Sequence, residues 1–145
     1  MSKAIDKGIN KLLGVSKRKQ KSGENARNSG YKVESAALRF LVEQQVDIIA
    51  TNHHCRRGEV DIVGQCNGHL LFIEVRFRSN IRYASAAESV DYRKQQKVII
   101  AAQDFLMHHP QYTNLPARFD VITASAIDGG GQLNFEWIQD AFQVN

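Results

Sequence analysis

The stretch GEVDIVG at residues 58–64, followed by NG at 67–68 and LLFIEVR at 70–76, decides the fold of the predicted sheet. Asn-Gly is the strongest short signal for a two-residue type I′ turn, because both central positions need a positive φ. The two flanking stretches are rich in branched apolar residues and are typical of strands. Around that turn, residues whose numbers sum to 135 lie opposite each other. The pattern predicts an antiparallel hairpin of fixed register.

Two acidic side chains oppose each other in this register. Asp61 lies opposite Glu74, and Glu59 lies opposite Arg76, all on one face because strand side chains alternate with a period of two. Directly opposed Cβ atoms are about 4.5–5.5 Å apart, and like charges at that distance repel. A divalent cation with oxygen ligands, Mg²⁺ or Mn²⁺, is the natural neutralising partner. The alternative is a solvent-exposed polar face that carries a Glu59–Arg76 ion pair.

The residues around this pair suit phosphate chemistry. A metal held by two carboxylates can polarise a phosphoryl group and lower the pKa of a bound water. Arg76 shares the face of Glu74, and Arg78 continues that line. A cation in this position would stabilise the charge that develops on the phosphorane.

The remaining pattern predicts an α/β fold with helices packed on a sheet. A first helix is predicted over residues 34–45 and a second over 89–108, each with an apolar stripe at helical spacing. Further strands are predicted at 46–52, 118–123 and 133–138, the last at an edge. The folded domain is predicted to span residues 31–145.

The positive charge of the chain is concentrated at its start. Residues 1–30 hold eight Lys/Arg against two acids, whereas residues 31–145 hold eleven against thirteen. Such a basic extension suits phosphate backbones, and a solubilising, disordered leader is an equal alternative. Within it, residues 3–13 have helical apolar spacing, and residues 14–30 have the composition of a linker.

Composition also bounds the setting of the protein. No apolar run approaches the roughly 18 residues needed to cross a bilayer, so no membrane association is expected. The two cysteines, Cys55 and Cys66, do not make a disulfide framework. Their number favours a reducing, cytoplasmic setting.

Both predicted helices carry further candidate site residues. Glu34 lies near the start of the first helix beside its buried face, where it either complements the helix dipole or points at the Asp61–Glu74 pair. Arg93, Lys94 and Lys97 crowd the first turns of the second helix, where cations oppose the dipole. They indicate an anionic partner, with a solvated face as the alternative. Gln96 is a weaker candidate for a site-facing residue.

Several motifs in order resemble the YraN-like family of uncharacterised bacterial proteins. The resemblance covers residues 31–142 and includes the pair Arg93-Lys94. Its other motifs are GEVDIV at 58–63, LFIEVRFR at 71–78, AAESV at 86–90, RFDV at 118–121 and DAF at 140–142. That family is similar to the PD-(D/E)XK restriction-endonuclease-like superfamily, which includes archaeal Holliday-junction resolvases.

The superfamily resemblance implies a mixed β-sheet flanked by helices, with an α-β-β-β-α-β core. It also implies a Mg²⁺- or Mn²⁺-dependent endonuclease acting on DNA, including branched or structured DNA. Asp61 matches the motif aspartate, Glu74 the acid of the E-x-K element, and Glu34 the helix acid that completes the metal site. Glu59 is a candidate further ligand.

Two positions depart from the superfamily pattern. Arg76 occupies the slot usually held by lysine, and an arginine side chain cannot act as a base in a protein. It can still bind a phosphate bidentately. The motif proline is also absent, because Glu59 and Val60 precede Asp61.

Three functional readings follow from these observations. The first is a metal-dependent nuclease with Asp61, Glu74 and Arg76 as catalytic residues. The second is a non-catalytic nucleic-acid-binding protein on a nuclease scaffold, using Arg78, Arg93, Lys94, Gln96 and Lys97. The third is a protein-interaction module using residues 3–13. The resolvase analogy suggests a homodimer, at the level of the fold alone.

Overall fold

The computed structural model describes residues 25–78, 90–127 and 131–144, with side chains described from residue 32 onward. The predicted helix over residues 3–13 and most of the basic extension therefore lie outside the described residues. The AAESV motif lies outside them as well, apart from Val90.

The elements follow the predicted order of one helix, three strands, one helix and two strands. A short 3₁₀ turn, Pro110–Tyr112, follows the second helix. The elements are α1 (Asn25–Glu43), β1 (Asp47–Cys55), β2 (Gly58–Cys66), β3 (His69–Arg78), α2 (Tyr92–His108), β4 (Ala117–Ala126) and β5 (Leu133–Phe142). The predicted α/β class is confirmed. No helix within the described ranges has the length and apolar character to cross a membrane.

The five strands form one mixed sheet in the order β1-β2-β3-β4-β5. The β3–β4 pair is parallel, and the other three pairs are antiparallel. A parallel pair needs a crossover connection, which here contains α2. The prediction that the last strand lies at an edge of the sheet is confirmed.

The hairpin of β2 and β3 has the predicted turn and register. Asn67 and Gly68 have φ values of 50° and 75°, as a type I′ turn requires. The paired residues run from Cys66–His69 to Ile62–Ile73, and each pair sums to 135. The turn therefore fixes which side chains of β3 face those of β2.

Each helix packs on its own face of the sheet. The stripe of α2 and the stripe of α1 form two separate buried clusters. The α2 cluster contains Val98, Ile99, Ala101, Ala102 and Phe105 together with Val60, Val63, Leu70, Phe72, Phe119, Val121 and Phe142. The α1 cluster contains Ala37, Leu38 and Leu41 together with Val46, Ile62, Leu71, Ile73 and Ile122. Burial of both sheet faces explains the nearly continuous apolar runs of β3 and β4.

Element boundaries differ from the predicted ones where tertiary contacts or caps decide them. Helix α1 begins at Asn25, inside the stretch interpreted as linker. Helix α2 begins at Tyr92, because the side chain of Asp91 caps it by accepting a hydrogen bond from the backbone N–H of Lys94 at 2.9 Å. Strand β1 continues to Cys55 because its ladder with β2 extends that far.

Candidate functional site

Asp61 on β2 and Glu74 on β3 lie together; Glu74 is buried and Asp61 is half-buried. Glu74 is 2% exposed. One carboxylate oxygen of Asp61 accepts a hydrogen bond from the backbone N–H of Val75 at 2.8 Å. The two carboxyl groups are close enough to interact by charge and by hydrogen bonding. The structure thus brings together the two acids that the hairpin register paired.

The protein itself leaves this pair poorly neutralised. Burial, and then the neighbouring charge of Asp61, raise the pKa of Glu74 to about 8. Burial also raises the pKa of Asp61, although the hydrogen bond from Val75 opposes that change. Within the described ranges, the Oε2 atom of Glu74 is buried without a hydrogen-bond partner. A buried oxygen of this kind costs free energy unless something coordinates it.

Lys94 of α2 reaches into this cluster. Its ammonium lies 2.5 Å from Oε1 of Glu59 and 3.4 Å from Oε1 of Glu74. Burial lowers the pKa of Lys94, but the hydrogen bond to Glu59 and the charges of Glu74, Glu59 and Asp61 outweigh it, so the pKa is raised. Lys94 is therefore charged at neutral pH and serves as an internal cation of the site.

Lys94 meets the carboxylates of the protein itself, whereas the sequence suggested an anionic partner or a solvated face, and its contact with nucleic acid stays a prediction. Lys94 lies four residues before Val98 and seven before Ala101, both buried in the α2 cluster. Residues at this spacing share one face of a helix. That spacing was the signal in the sequence that could have placed Lys94 toward the sheet.

Glu59 forms its ion pair with Lys94, whereas the sequence offered Arg76 as its partner. Its hydrogen bond to Lys94 lowers its pKa, and Nδ1 of His54 lies 3.7 Å from its second oxygen. Arg76 is half-buried on β3 and pairs in register with Thr123 of β4, and Arg78 pairs with Ser125.

Glu34 of α1 is electrostatically linked to the same cluster. Burial, and then the charge of Asp61, raise the pKa of Glu34, whereas a hydrogen bond from the side chain of Asn52 and the charge of His54 lower it. The acids Glu34, Asp61 and Glu74 thus form one electrostatically interacting group. Lys94 connects Glu59 to this group through its ion pairs with Glu59 and Glu74.

Protein side chains alone do not provide a complete set of metal ligands in the described part of the chain. In the part of the chain that is described, no three His, Cys, Asp or Glu side chains converge closely enough to hold an ion. Mg²⁺ needs fewer protein ligands, because it is usually bound through one or two carboxylates plus waters and phosphates. Asp61 and Glu74 provide such a pair, and direct ligation by Glu34 and Glu59 stays a prediction.

The other predicted nucleic-acid contacts lie along the first turns of α2. Arg93 and Lys97 are exposed, and Gln96 is half-buried. Their contact with nucleic acid stays a prediction.

The RFDV and DAF motifs have a structural role. Asp120 is fully buried. Its carboxylate accepts hydrogen bonds from Nε and Nη2 of Arg118 at 2.8 and 2.9 Å. It also accepts one from Nε1 of Trp137 and one from the backbone N–H of Asp140, each at 2.9 Å. Asp140 has a φ of 52°, so this carboxylate holds β5 in an unusual backbone conformation.

These features define a mixed α/β domain with a carboxylate pair and a lysine that crosses from a helix to meet it. The chain belongs to the family described as uncharacterised protein family UPF0102, whose model matches residues 33–124. The matched region contains the carboxylate pair and Lys94. The expected membership of an uncharacterised bacterial family is confirmed.

Curated relatives cover most of the chain. A UPF0102 protein of Saccharophagus degradans is 44% identical over 117 residues, which are 81% of this chain and 94% of the relative. One from Alcanivorax borkumensis is 40% identical over 80% of this chain and 92% of its own. One from Pseudomonas syringae pv. syringae is 43% identical over 79% of this chain and 92% of its own.

Proposed function

We propose that this protein is a divalent-metal-dependent endonuclease acting on DNA, branched or structured DNA included. The observation that supports this most is the pairing of the half-buried carboxylate of Asp61 with the buried carboxylate of Glu74. Oε2 of Glu74 lacks a hydrogen-bond partner in the described part of the chain, and burial beside Asp61 raises the pKa of Glu74 to about 8. A divalent cation that prefers oxygen ligands would supply the positive charge that the two carboxylates lack, and it would coordinate Oε2 of Glu74. The residues present therefore fit Mg²⁺ or Mn²⁺.

In this proposal Asp61 and Glu74 would hold the metal, with Glu34 and Glu59 as further candidate ligands. When bound, such a metal polarises a phosphoryl oxygen and lowers the pKa of a bound water. Glu74 releases its proton when it becomes a ligand, because a ligating carboxylate must be ionised. The N–H of Val75 holds Asp61 at 2.8 Å and so fixes its orientation.

The cations of the site have separate tasks. Arg76 stays charged and can bind a phosphate through two parallel hydrogen bonds. Lys94 provides, from α2, an ammonium 3.4 Å from Glu74, whereas the lysine slot of the E-x-K element holds arginine. Because its pKa is raised, Lys94 stabilises negative charge that develops on the phosphate and does not accept a proton.

A second candidate is a nucleic-acid-binding protein that does not hydrolyse its ligand. The observation in its favour is that both cations of the site, Arg76 and Lys94, are protonated at neutral pH. Neither can then remove a proton from water. Binding without cleavage would distinguish this candidate from the first.

The first test is DNA cleavage. Purified protein is incubated with Mn²⁺ or with a chelator on linear, nicked and four-way-junction DNA. We expect cleavage with Mn²⁺, and a loss of at least about 100-fold in rate for Asp61→Asn, because this change removes a charge from the cation site. Asp47→Asn is the matched control, since Asp47 is an exposed acid at the start of β1.

The outcomes separate the candidates. Cleavage by Asp61→Asn at the wild-type rate would exclude the assigned site. Binding of these substrates without cleavage by the wild type would support the second candidate. The resolvase analogy extends the proposal to a homodimer, because two strands of a junction are cut by two copies of a site. Sedimentation analysis would measure that state.

A further inference from the structure

The tip of the β1–β2 hairpin forms a second polar pocket. Cys55 ends β1 and pairs with Gly58, which begins β2. Arg56 and Arg57 are therefore the two central residues of the turn. With Lys97 of α2, they line a pocket of about 230 Å³.

This pocket is strongly positive. Arg56, Arg57 and Lys97 are its permanent cations, and His54 adds an imidazole. The one acid among the lining residues is Glu59, whose carboxylate is already bound by Lys94. A concave surface lined mainly by one sign of charge concentrates ligands of the opposite sign.

The hairpin tip is fixed on α2. A Cβ atom placed on Gly58 would lie 2.4 Å from the carbonyl oxygen of Lys97 and 2.7 Å from the backbone nitrogen of Ala101. Only glycine permits this approach of two backbones. The two arginines therefore extend from a turn that is packed directly against the helix carrying Lys97.

The pocket adjoins the carboxylate site. Glu59 lines the pocket, and Lys94 links Glu59 to Glu74. Asp61 lies three positions after Gly58 in β2, a length of about 10 Å at the usual rise of a strand. Phosphates of one DNA strand follow each other at about 3.4 Å along the helix axis. The pocket and the carboxylate pair are therefore close enough for phosphates of one strand to reach both.

We propose that the pocket of Arg56, Arg57 and Lys97 binds a backbone phosphate of the nucleic acid beside the phosphate at Asp61 and Glu74. This rests on the proposed function and specifies its substrate class. The substrate is a polynucleotide that reaches both sites, and a mononucleotide is too short. Phosphate contacts of this kind set the register of the strand without reading its bases.

The test is the salt dependence of binding. Binding of a fluorescein-labelled duplex and a four-way junction is followed by fluorescence anisotropy in Ca²⁺, with salt raised from about 50 to 200 mM. Each neutralised phosphate contributes about 0.9 to the slope of log K against log salt, so Arg56→Ala/Arg57→Ala, which releases the one phosphate of the pocket, is expected to lower that slope by about 0.9. The affinity is expected to fall about 10- to 100-fold at the lower salt concentration.

Matched single variants test the position of the charge. Lys97→Ala is expected to lower the slope by less than the double arginine variant does, and Lys32→Ala is expected to leave it unchanged. Both lysines are exposed on helices, but Lys32 lies on α1 and does not line the pocket. Thermal melting by circular dichroism should be the same for all variants, because each replaced side chain is exposed.

A scan of single methylphosphonate substitutions locates the phosphate. Substitution at one phosphate is expected to weaken binding of the wild type but not of Arg56→Ala/Arg57→Ala. Such a difference shows that this phosphate and the two arginines interact.

If the double variant has the wild-type salt slope, the inference is wrong, while Mn²⁺-dependent cleavage still tests the proposed function separately. If binding depends on the arginines and nothing is cut, the pocket is supported and hydrolysis is not. If the wild type binds neither probe, both fail.

Discussion

Replacing Asp120 by alanine is expected to lower the free energy of unfolding by about 3–5 kcal/mol. The change removes a buried carboxylate that accepts four hydrogen bonds from Arg118, Trp137 and Asp140. It leaves the guanidinium of Arg118, whose side chain is 19% exposed, without its carboxylate. Breaking one half of a buried ion pair costs more than the pair contributes, because the remaining charge is left uncompensated.

Urea unfolding followed by circular dichroism measures this effect. Asp47→Ala is the control, because Asp47 is exposed and a substitution there is expected to change stability by less than about 0.5 kcal/mol. Equal urea midpoints for Asp120→Ala and Asp47→Ala would contradict the structural role of the RFDV motif. At low urea, Mn²⁺-dependent activity should persist in any Asp120→Ala protein that remains folded.

Replacing Glu74 by glutamine is expected to remove most of a pH dependence of stability. The ordinary pKa of a glutamate, 4.5 here, describes the unfolded chain, and burial beside Asp61 raises the folded value to about 8. Between these two values the folded protein keeps a proton that the unfolded chain releases. The stabilisation that the protonated carboxyl group of Glu74 contributes is therefore fully present below the lower pKa. It is lost as the pH rises through the higher one. The loss is on the order of 4 kcal/mol by pH 8.

The measurement is urea unfolding of metal-free protein from about pH 5.5 to 8.5. The difference between the wild type and Glu74→Gln isolates the contribution of Glu74 from that of other groups. We expect that difference to grow with pH in favour of the variant. Glu43→Gln on the exposed end of α1 is the matched control and should follow the wild type. Parallel curves for the wild type and Glu74→Gln would contradict the raised pKa.

The same proteins test metal binding without any activity assay. At pH 8, Mn²⁺ at about 100 times its Kd is expected to stabilise the wild type by about 2.7 kcal/mol, because it binds the folded state only. Glu74→Gln and Asp61→Asn should show little of this stabilisation. Equal stabilisation of all three proteins would place the metal elsewhere.

Local sequence predicted much of the sheet because its signals are short-range. Asn67 and Gly68 have the positive φ values that their types favour, and the register of the hairpin follows from that turn. The apolar stripes correctly predicted which faces of α1 and α2 are buried. The start of α1 at Asn25 was missed, because a stretch rich in Ser, Gly and Asn has the composition of a linker.

Charged residues were harder to place than apolar ones. Arg93, Lys94 and Lys97 formed one basic group in the sequence, but among these three it is Lys94 that forms ion pairs with both Glu59 and Glu74. A lysine side chain is long and can follow either face of a helix, so its type alone does not fix its partner. Arg56 and Arg57 gave no turn signal of the Asn-Gly kind, and their pocket depends on contact with α2.

The sequence by itself determined the hairpin, the helix faces and the opposition of Asp61 to Glu74, because turn geometry and residue periodicity act over a few neighbouring positions. Only the tertiary structure decided which cation meets those acids, how deeply Glu74 is buried and which surface lies beside them. These properties depend on packing α2 against β2, and the residues brought together there, Glu59 and Lys94, are 35 positions apart in the chain.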